Sequence, residues 1–289
     1  MRAMESASGR ARRAFPFVAV VLILTTCGGG ATAPSASPSP SLNAKGLPGV
    51  FVDVGGYKLW FQCEGTGSPT LIMESGNASG DHSPDVWFRV APTFETTNRV
   101  CFYDRAGNGW SDRRPERHIT VGQMASELDA VLSKEGIEPP YVFVAHSFGA
   151  MDARAFALAH PGEVVAMVLV DALYGGPLRT QEGDGGSGVD TSGLDGRGFG
   201  QMPLAVVSSE DPAYWGGDLE LHTQHQDHLA TLSSNVTHVI SVTCGLYVMY
   251  DEPSLVIEAI HEVLLAVGSG SALPPCQQSF PTLGGECAG

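Results

Sequence analysis

The chain has 289 residues, enough for one large domain with a substantial core. Glycine (36) and proline (19) are abundant and charged residues make up only 16%, which fits a loop-rich enzyme better than a helical bundle or coiled coil. The formal net charge of −15 argues against nucleic acid or anionic headgroups as the main ligand, because phosphates need Lys and Arg to neutralise them.

The N-terminus reads as a targeting segment. "RARRAF" is a basic start, and "FPFVAVVLILTT" is an apolar run too short to span a bilayer comfortably. "LTTC", Leu24 to Cys27, resembles a bacterial lipobox, with Thr26 where a smaller residue is usual. Residues 1–27 are therefore expected to be a signal segment, with Cys27 lipidated and holding the protein at a membrane surface; plain secretion is the alternative. Residues 28–48 are rich in Ser, Pro, Ala and Gly and predict an extended linker with no apolar face to bury. Beyond Cys27 lie Cys63, Cys101, Cys244, Cys276 and Cys287, with no CxxC pair. In an exported protein these fit disulfides better than metal ligands.

From residue 50 short β-rich runs alternate with helical patterns. "VFVDVGGYKLWFQCEG" predicts a hairpin about Gly55-Gly56, and "PTLIMESG" and "NRVCFYDRAG" predict strands ending in turns. "TVGQMASELDAVLSKEG" has helical spacing and a stop at Gly136. Then come a strand "YVFVAH", a helix "GAMDARAFALAH" and a strand "VVAMVLVDA". Residues 172–202 are Gly-rich and read as a flexible loop without a packed cap domain. Another strand, "LAVVSS", leads to a helix "DLELHTQHQDHLATLS", a strand "THVISVTC" and a last helix opened by Pro253. Such alternation, with strands nearly continuous in aliphatic residues, predicts an α/β fold whose mainly parallel sheet is covered on both faces. The domain is expected over 49–268, followed by a Cys-containing tail, 269–289.

"YVFVAHSFGA", Tyr141 to Ala150, is where chemistry concentrates. A buried strand turning tightly into a helix exposes the turn residue, here Ser147, and needs small neighbours such as Ala145 and Gly149. The N-terminus of the following helix, from Phe148, offers free N–H groups to a developing oxyanion. "VCFYDRAGNGWSD", "VFVAHSFGAMDARAFALAHPGEVVAMVLVDA" and "VTCGLYVMYDEPSLVIEAIHEVL" together resemble the α/β-hydrolase superfamily, in its branch of small esterases, haloperoxidases, epoxide hydrolases and proline iminopeptidases.

That resemblance implies Ser147 as nucleophile and the amides of Phe148 and Asn77 as the oxyanion hole, with Ser75-Gly76-Asn77 where relatives often have His-Gly. It also implies a Cys63–Cys101 disulfide, since the second strand of the superfamily lies beside the fourth. Cys276 and Cys287 would then close a C-terminal loop and leave Cys244 free. No cofactor is implied. The family pattern after the last strand is Gly-His, an aromatic, an aliphatic, then Asp/Glu-Pro. This chain has Gly245-Leu246-Tyr247-Val248, then Glu252-Pro253, so Leu246 stands where the catalytic histidine belongs.

Leucine cannot accept a proton, and a serine hydroxyl is a poor nucleophile without a base in reach. Strand direction leaves His82, His118, His222 and His225 at the C-terminal edge of the sheet, and His82 is the first choice of replacement. His146 should point away from the hydroxyl. His222, His225 and His228 suggest a metal only weakly, because H-x-x-H-x-x-H spreads its third member around the helix, and no metal is expected. For the acid, Asp211 fits best in position, ahead of Glu210 and Asp171. Asp104 and Arg105 read as a structural turn network. The expectation is thus an exported serine hydrolase acting on small acyl substrates; the alternative is a catalytically impaired relative that serves as a surface binding protein.

Overall fold

The computed structural model describes residues 48–76, 82–116, 118–175, 189–194, 196–211, 216–242 and 245–288. The expectations for the signal segment, most of the linker, Asn77 and Cys244 lie outside them.

A hairpin of β1 (Val50–Asp53) and β2 (Lys58–Glu64) leads into β3 (Thr70–Glu74), the short helix α1 (Ser83–Trp87) and β4 (Val100–Tyr103). The two-residue strand β5 (Ile119–Thr120) precedes α2 (Val121–Lys134), which is closed at its start by a capping box between Thr120 and Gln123. Next come β6 (Tyr141–His146), α3 (Gly149–Ala159), β7 (Val164–Val170), the short β8 (Val189–Asp190) and β9 (Leu204–Ser209). The chain ends with α4 (Leu219–Ala230), β10 (Val236–Ser241), α5 (Val248–Asp251), α6 (Pro253–Ser269) and β11 (Glu286–Cys287).

Among the described residues nine strands form one sheet in the order β1-β2-β4-β3-β6-β7-β9-β10-β11. Pairing from β4 to β10 is parallel, and the antiparallel strands are confined to the two edges. Alternation along each strand feeds two cores. Ile72, Phe143 and Ala145 join α2, α3 and α4 on one face, while Leu71, Val142 and Val144 join α1 and α6 on the other. This is the two-faced α/β sheet that the strand composition predicts.

Cys63 is paired in register with Cys101 across β2 and β4, and the two form a disulfide. Cys276 and Cys287 form the other, closing a turn that brings β11 onto β10. The tail is therefore part of the domain, with its own Phe280 fully buried. The Gly-rich stretch also differs from the expected loop. β8 pairs with β5, and Val189 and Leu194 are buried in the core beside α2 and α3. Residues 176–188 lie outside the described residues.

Candidate active site

Every residue of β6 is buried, and the chain leaves it through Ser147 at φ 51°. The turn is held on both sides by backbone. The Ser147 N–H donates to Val170 O at 3.0 Å, and its carbonyl accepts from Leu173 N at 3.0 Å and Ala150 N at 3.2 Å. Two glycines make room for it. A Cβ on Gly149 would lie 2.6 Å from the Ser75 carbonyl oxygen and 2.8 Å from Glu74 Cβ. A Cβ on Gly76 would lie 3.1 Å from His146 Nδ1 and 3.5 Å from Ser147 Cβ, so the loop after β3 presses against the serine. Backbone cannot retreat as a flexible side chain can. Gly149→Ala is therefore expected to destabilise the fold by about 1–3 kcal/mol, read as a lower urea midpoint at unchanged slope.

The Ser147 side chain is half-buried, and among the described residues no group hydrogen-bonds its hydroxyl. Phe148 takes helical angles directly before α3, which puts its amide among the unsatisfied N–H groups at the helix start.

Asp171 sits beside Ser147. His146 and Val170 are the last paired residues of β6 and β7, and Ser147 and Asp171 each follow by one. Asp171 has φ 41°, and these two are the non-glycine residues with positive φ among the described residues. Each such residue costs on the order of 1–3 kcal/mol, and strain of this kind clusters where geometry serves chemistry. Asp171 is buried; its Oδ1 accepts from Ser209 N at 2.7 Å and Ser209 Oγ at 3.0 Å, and His222 Nε2 approaches it to 3.3 Å. Its Oδ2 is buried without a hydrogen-bond partner. Burial pushes the Asp171 carboxyl above its ordinary range, opposed by His222 and the Ser209 donors.

Leu246 completes the arrangement. β10 lies three strands from β6, yet the Leu246 carbonyl accepts from His146 Nε2 at 3.1 Å. The segment after β10 thus returns across the C-terminal ends of β9 and β7 to the residue preceding Ser147. The position is the one expected of the base, and it holds a leucine.

A model of the alpha/beta hydrolase fold matches residues 69–190, from β3 through β8. The chain has the α/β-hydrolase fold. Protein YqjL of Bacillus subtilis is 25% identical over 238 residues, 75% of this chain and 89% of YqjL. The putative carbamate hydrolase RutD of Escherichia coli O157:H7 is 31% identical over 105 residues, only 36% of this chain and 38% of RutD. The solved thermophilic esterase of Thermogutta terrifontis superposes with a TM-score of 0.58 at 17% identity, covering 75% of this chain and 98% of the esterase. The matches support a hydrolase.

Within this α/β-hydrolase fold the other expected residues fall as follows. His82, the first choice of replacement base, makes no hydrogen bond to Ser147. Its Nδ1 is 2.7 Å from Asp104 Oδ2, and its ring stacks on Trp110 at 3.8 Å and meets Trp60 edge-on. Asp104 also accepts from Ser83 N and Trp110 N, the structural turn network expected for it. Arg105 bonds Glu74 at 2.7 Å and the Gly76 carbonyl, bracing the loop after β3. His118 is exposed, and His225 and His228 lie near the Tyr174 ring. Among the described residues no group of three metal-ligating side chains is placed to hold an ion. Asp211 follows the end of β9 by two residues and is half-buried. Glu210 lines a cavity of about 620 Å³ beside β10 with Asp227 and His238.

Burial pushes the His146 imidazole down to about 4, outweighing the Leu246 carbonyl, with Arg105 acting in the same direction. An unfolded chain takes up that proton near pH 6.5, so this residue contributes stability above that pH which is lost as pH falls towards 4. The His146→Phe variant lacks this linkage. Denaturation at pH 7 and pH 4.5 should show the wild type losing about 2–3 kcal/mol relative to the variant.

Proposed function

We propose that the chain is an exported serine hydrolase for small ester or related acyl substrates, with Ser147 as nucleophile and Asp171 as the acid of its proton relay. The observation behind this reading is the pair of strained residues, Ser147 and Asp171, side by side at the C-terminal edge of the sheet. In this mechanism Ser147 Oγ attacks the acyl carbon while a base removes its proton. The Phe148 amide, with that of Asn77, stabilises the oxyanion, and water then releases the acid. The superfamily and fold neighbours such as the Thermogutta esterase support esters as the substrate class. The basic and apolar N-terminus with Cys27 supports export and lipid attachment, and the two disulfides fit an oxidising compartment.

Asp171 is preferred to Asp211 because its buried, unpartnered Oδ2 is an acceptor in search of a donor, next to the serine. Asp171→Asn is therefore expected to lower turnover of a short p-nitrophenyl ester by about 10³-fold or more, and Asp211→Asn by far less. The reverse order would move the acid to Asp211.

Leu246 favours a second reading, a surface binding protein on a hydrolase scaffold. Without a proton acceptor only binding and the oxyanion hole would act. Absence of turnover from a folded protein that still binds a short-chain ester would support it.

A further inference from the structure

We propose that Arg105 is a positioning residue of the oxyanion hole. Its guanidinium holds together the loop after β3 and the start of α3, the two segments whose amides receive the developing charge. The proposal rests on the Ser147-centred reading above.

Both segments meet Arg105 directly. In the loop, the Gly76 carbonyl accepts from Arg105 Nη2, and from Asn108 Nδ2 at 3.2 Å. At the helix start, the guanidinium carbon sits 5.2 Å from the centre of the Phe148 ring, within cation–π range. These contacts flank the nucleophile. A Cβ on Gly76 would lie 3.5 Å from Ser147 Cβ, and Phe148 follows Ser147 in the chain. On the other side of Ser147, the His146 imidazole is pushed down by burial and further by the Arg105 charge.

Arg105 is itself anchored. Its Nη1 donates to Glu74 Oε2 at 2.7 Å, and both side chains are buried. Glu74 ends β3, and a Cβ on Gly149 would lie 2.8 Å from Glu74 Cβ, so the anchor is packed against the first residue of α3. A guanidinium is rigid and planar. Donating to Glu74 through one nitrogen and to Gly76 through the other therefore fixes the Gly76 carbonyl relative to the sheet.

An oxyanion hole works when its donors are in place before charge appears, because reorganisation at that moment would cancel their effect. A peptide group is planar, so the clamp on the Gly76 carbonyl also sets the plane of the bond that leads to the next donor. The same clamp keeps the negative end of that carbonyl engaged, away from the oxyanion.

The test measures kcat and KM on p-nitrophenyl butyrate in the wild type and in the Leu246→His background, with Ser147→Ala as the blank. Each protein is also titrated with a trifluoromethyl ketone of the same chain length and with the plain methyl ketone. Ser147 Oγ adds to the carbonyl carbon of the fluorinated ketone, the C=O pair moves to oxygen, and the serine proton leaves to the base. Inhibition by that ketone thus reports the oxyanion, and the methyl ketone reports ground-state binding. Glu74→Leu with Arg105→Met replaces the pair by apolar side chains, an exchange that buried ion pairs commonly tolerate, and urea titration checks that the protein folds.

The proposal predicts that kcat falls about 10²-fold at a KM within about threefold, with the trifluoromethyl ketone weakened in proportion and the methyl ketone unmoved. Arg105→Lys keeps the charge but cannot bridge Glu74 and Gly76 as a planar fork, so it should lose about 10-fold on the same two readouts. If the double variant does not fold, Arg105→Lys decides alone. Unchanged kcat and ketone inhibition in a folded variant overturn the proposal and leave the Ser147 reading standing. A fall in kcat without the matching loss of the trifluoromethyl ketone does the same. Silence in both Ser147-containing backgrounds sinks the Ser147 reading and this proposal together.

Discussion

Ester turnover in Ser147→Ala is expected to fall to background, a loss of about 10³-fold or more, with the fold retained. The loss is expected to be this complete because the nucleophile is the one group that no neighbour can replace. Asp171, the Phe148 amide and the packed elbow all remain, but none supplies the attacking oxygen. Stability adds an independent reading of the same residue. Ser147 is held at φ 51° by backbone hydrogen bonds to Val170, Ala150 and Leu173. Alanine at that φ keeps the strain, whereas Ser147→Gly relieves it and should raise stability by about 1–2 kcal/mol in urea titration. A dead but stabilised glycine variant would identify the strain as a cost borne for function.

Leu246→His is expected to raise kcat for a short activated ester by about 10²-fold, within the usual range for a general base. The backbone is already in place, since the Leu246 carbonyl is bonded to His146 beside the nucleophile. Leucine and histidine are similar in volume, so the exchange neither opens a cavity nor overpacks the turn. An equal gain in kcat in the Asp171→Asn background would mean that the histidine acts without the acid.

The elbow was legible because every feature of it is local. A six-residue apolar strand, a serine between small residues and a helical pattern follow one another without interruption, and the Cys63–Cys101 disulfide is what the resemblance to the α/β-hydrolases implies. Leu246 was legible for the same reason, as one departure inside an otherwise matching motif. The acid was not. Asp171 and Asp211 both follow aliphatic strands, and only the adjacency of β7 to β6 together with the left-handed backbone at Asp171 separates them. Neither has a local signature, since positive φ at an aspartate is imposed by what surrounds it.

His82 illustrates the same limit. Strand direction puts it at the correct edge of the sheet, but its partner is Asp104, whose turn closes around it through Ser83 and Trp110. Two short pairings have no signature in the sequence. β8 lies in a Gly-rich stretch and joins β5 only because Val189 and Leu194 find the core. β11 is two residues long and is held on β10 beside the Cys276–Cys287 bridge. Period-based reading has little to work on at that length.

The central claim, that Ser147 is the reactive group, is tested most directly by treating the intact protein with a fluorophosphonate and locating the adduct by peptide mass spectrometry. The account predicts one phosphonylated residue, Ser147, labelled faster in Leu246→His than in the wild type and absent from Ser147→Ala. An adduct on another residue, or none in either Ser147-containing protein, would contradict it.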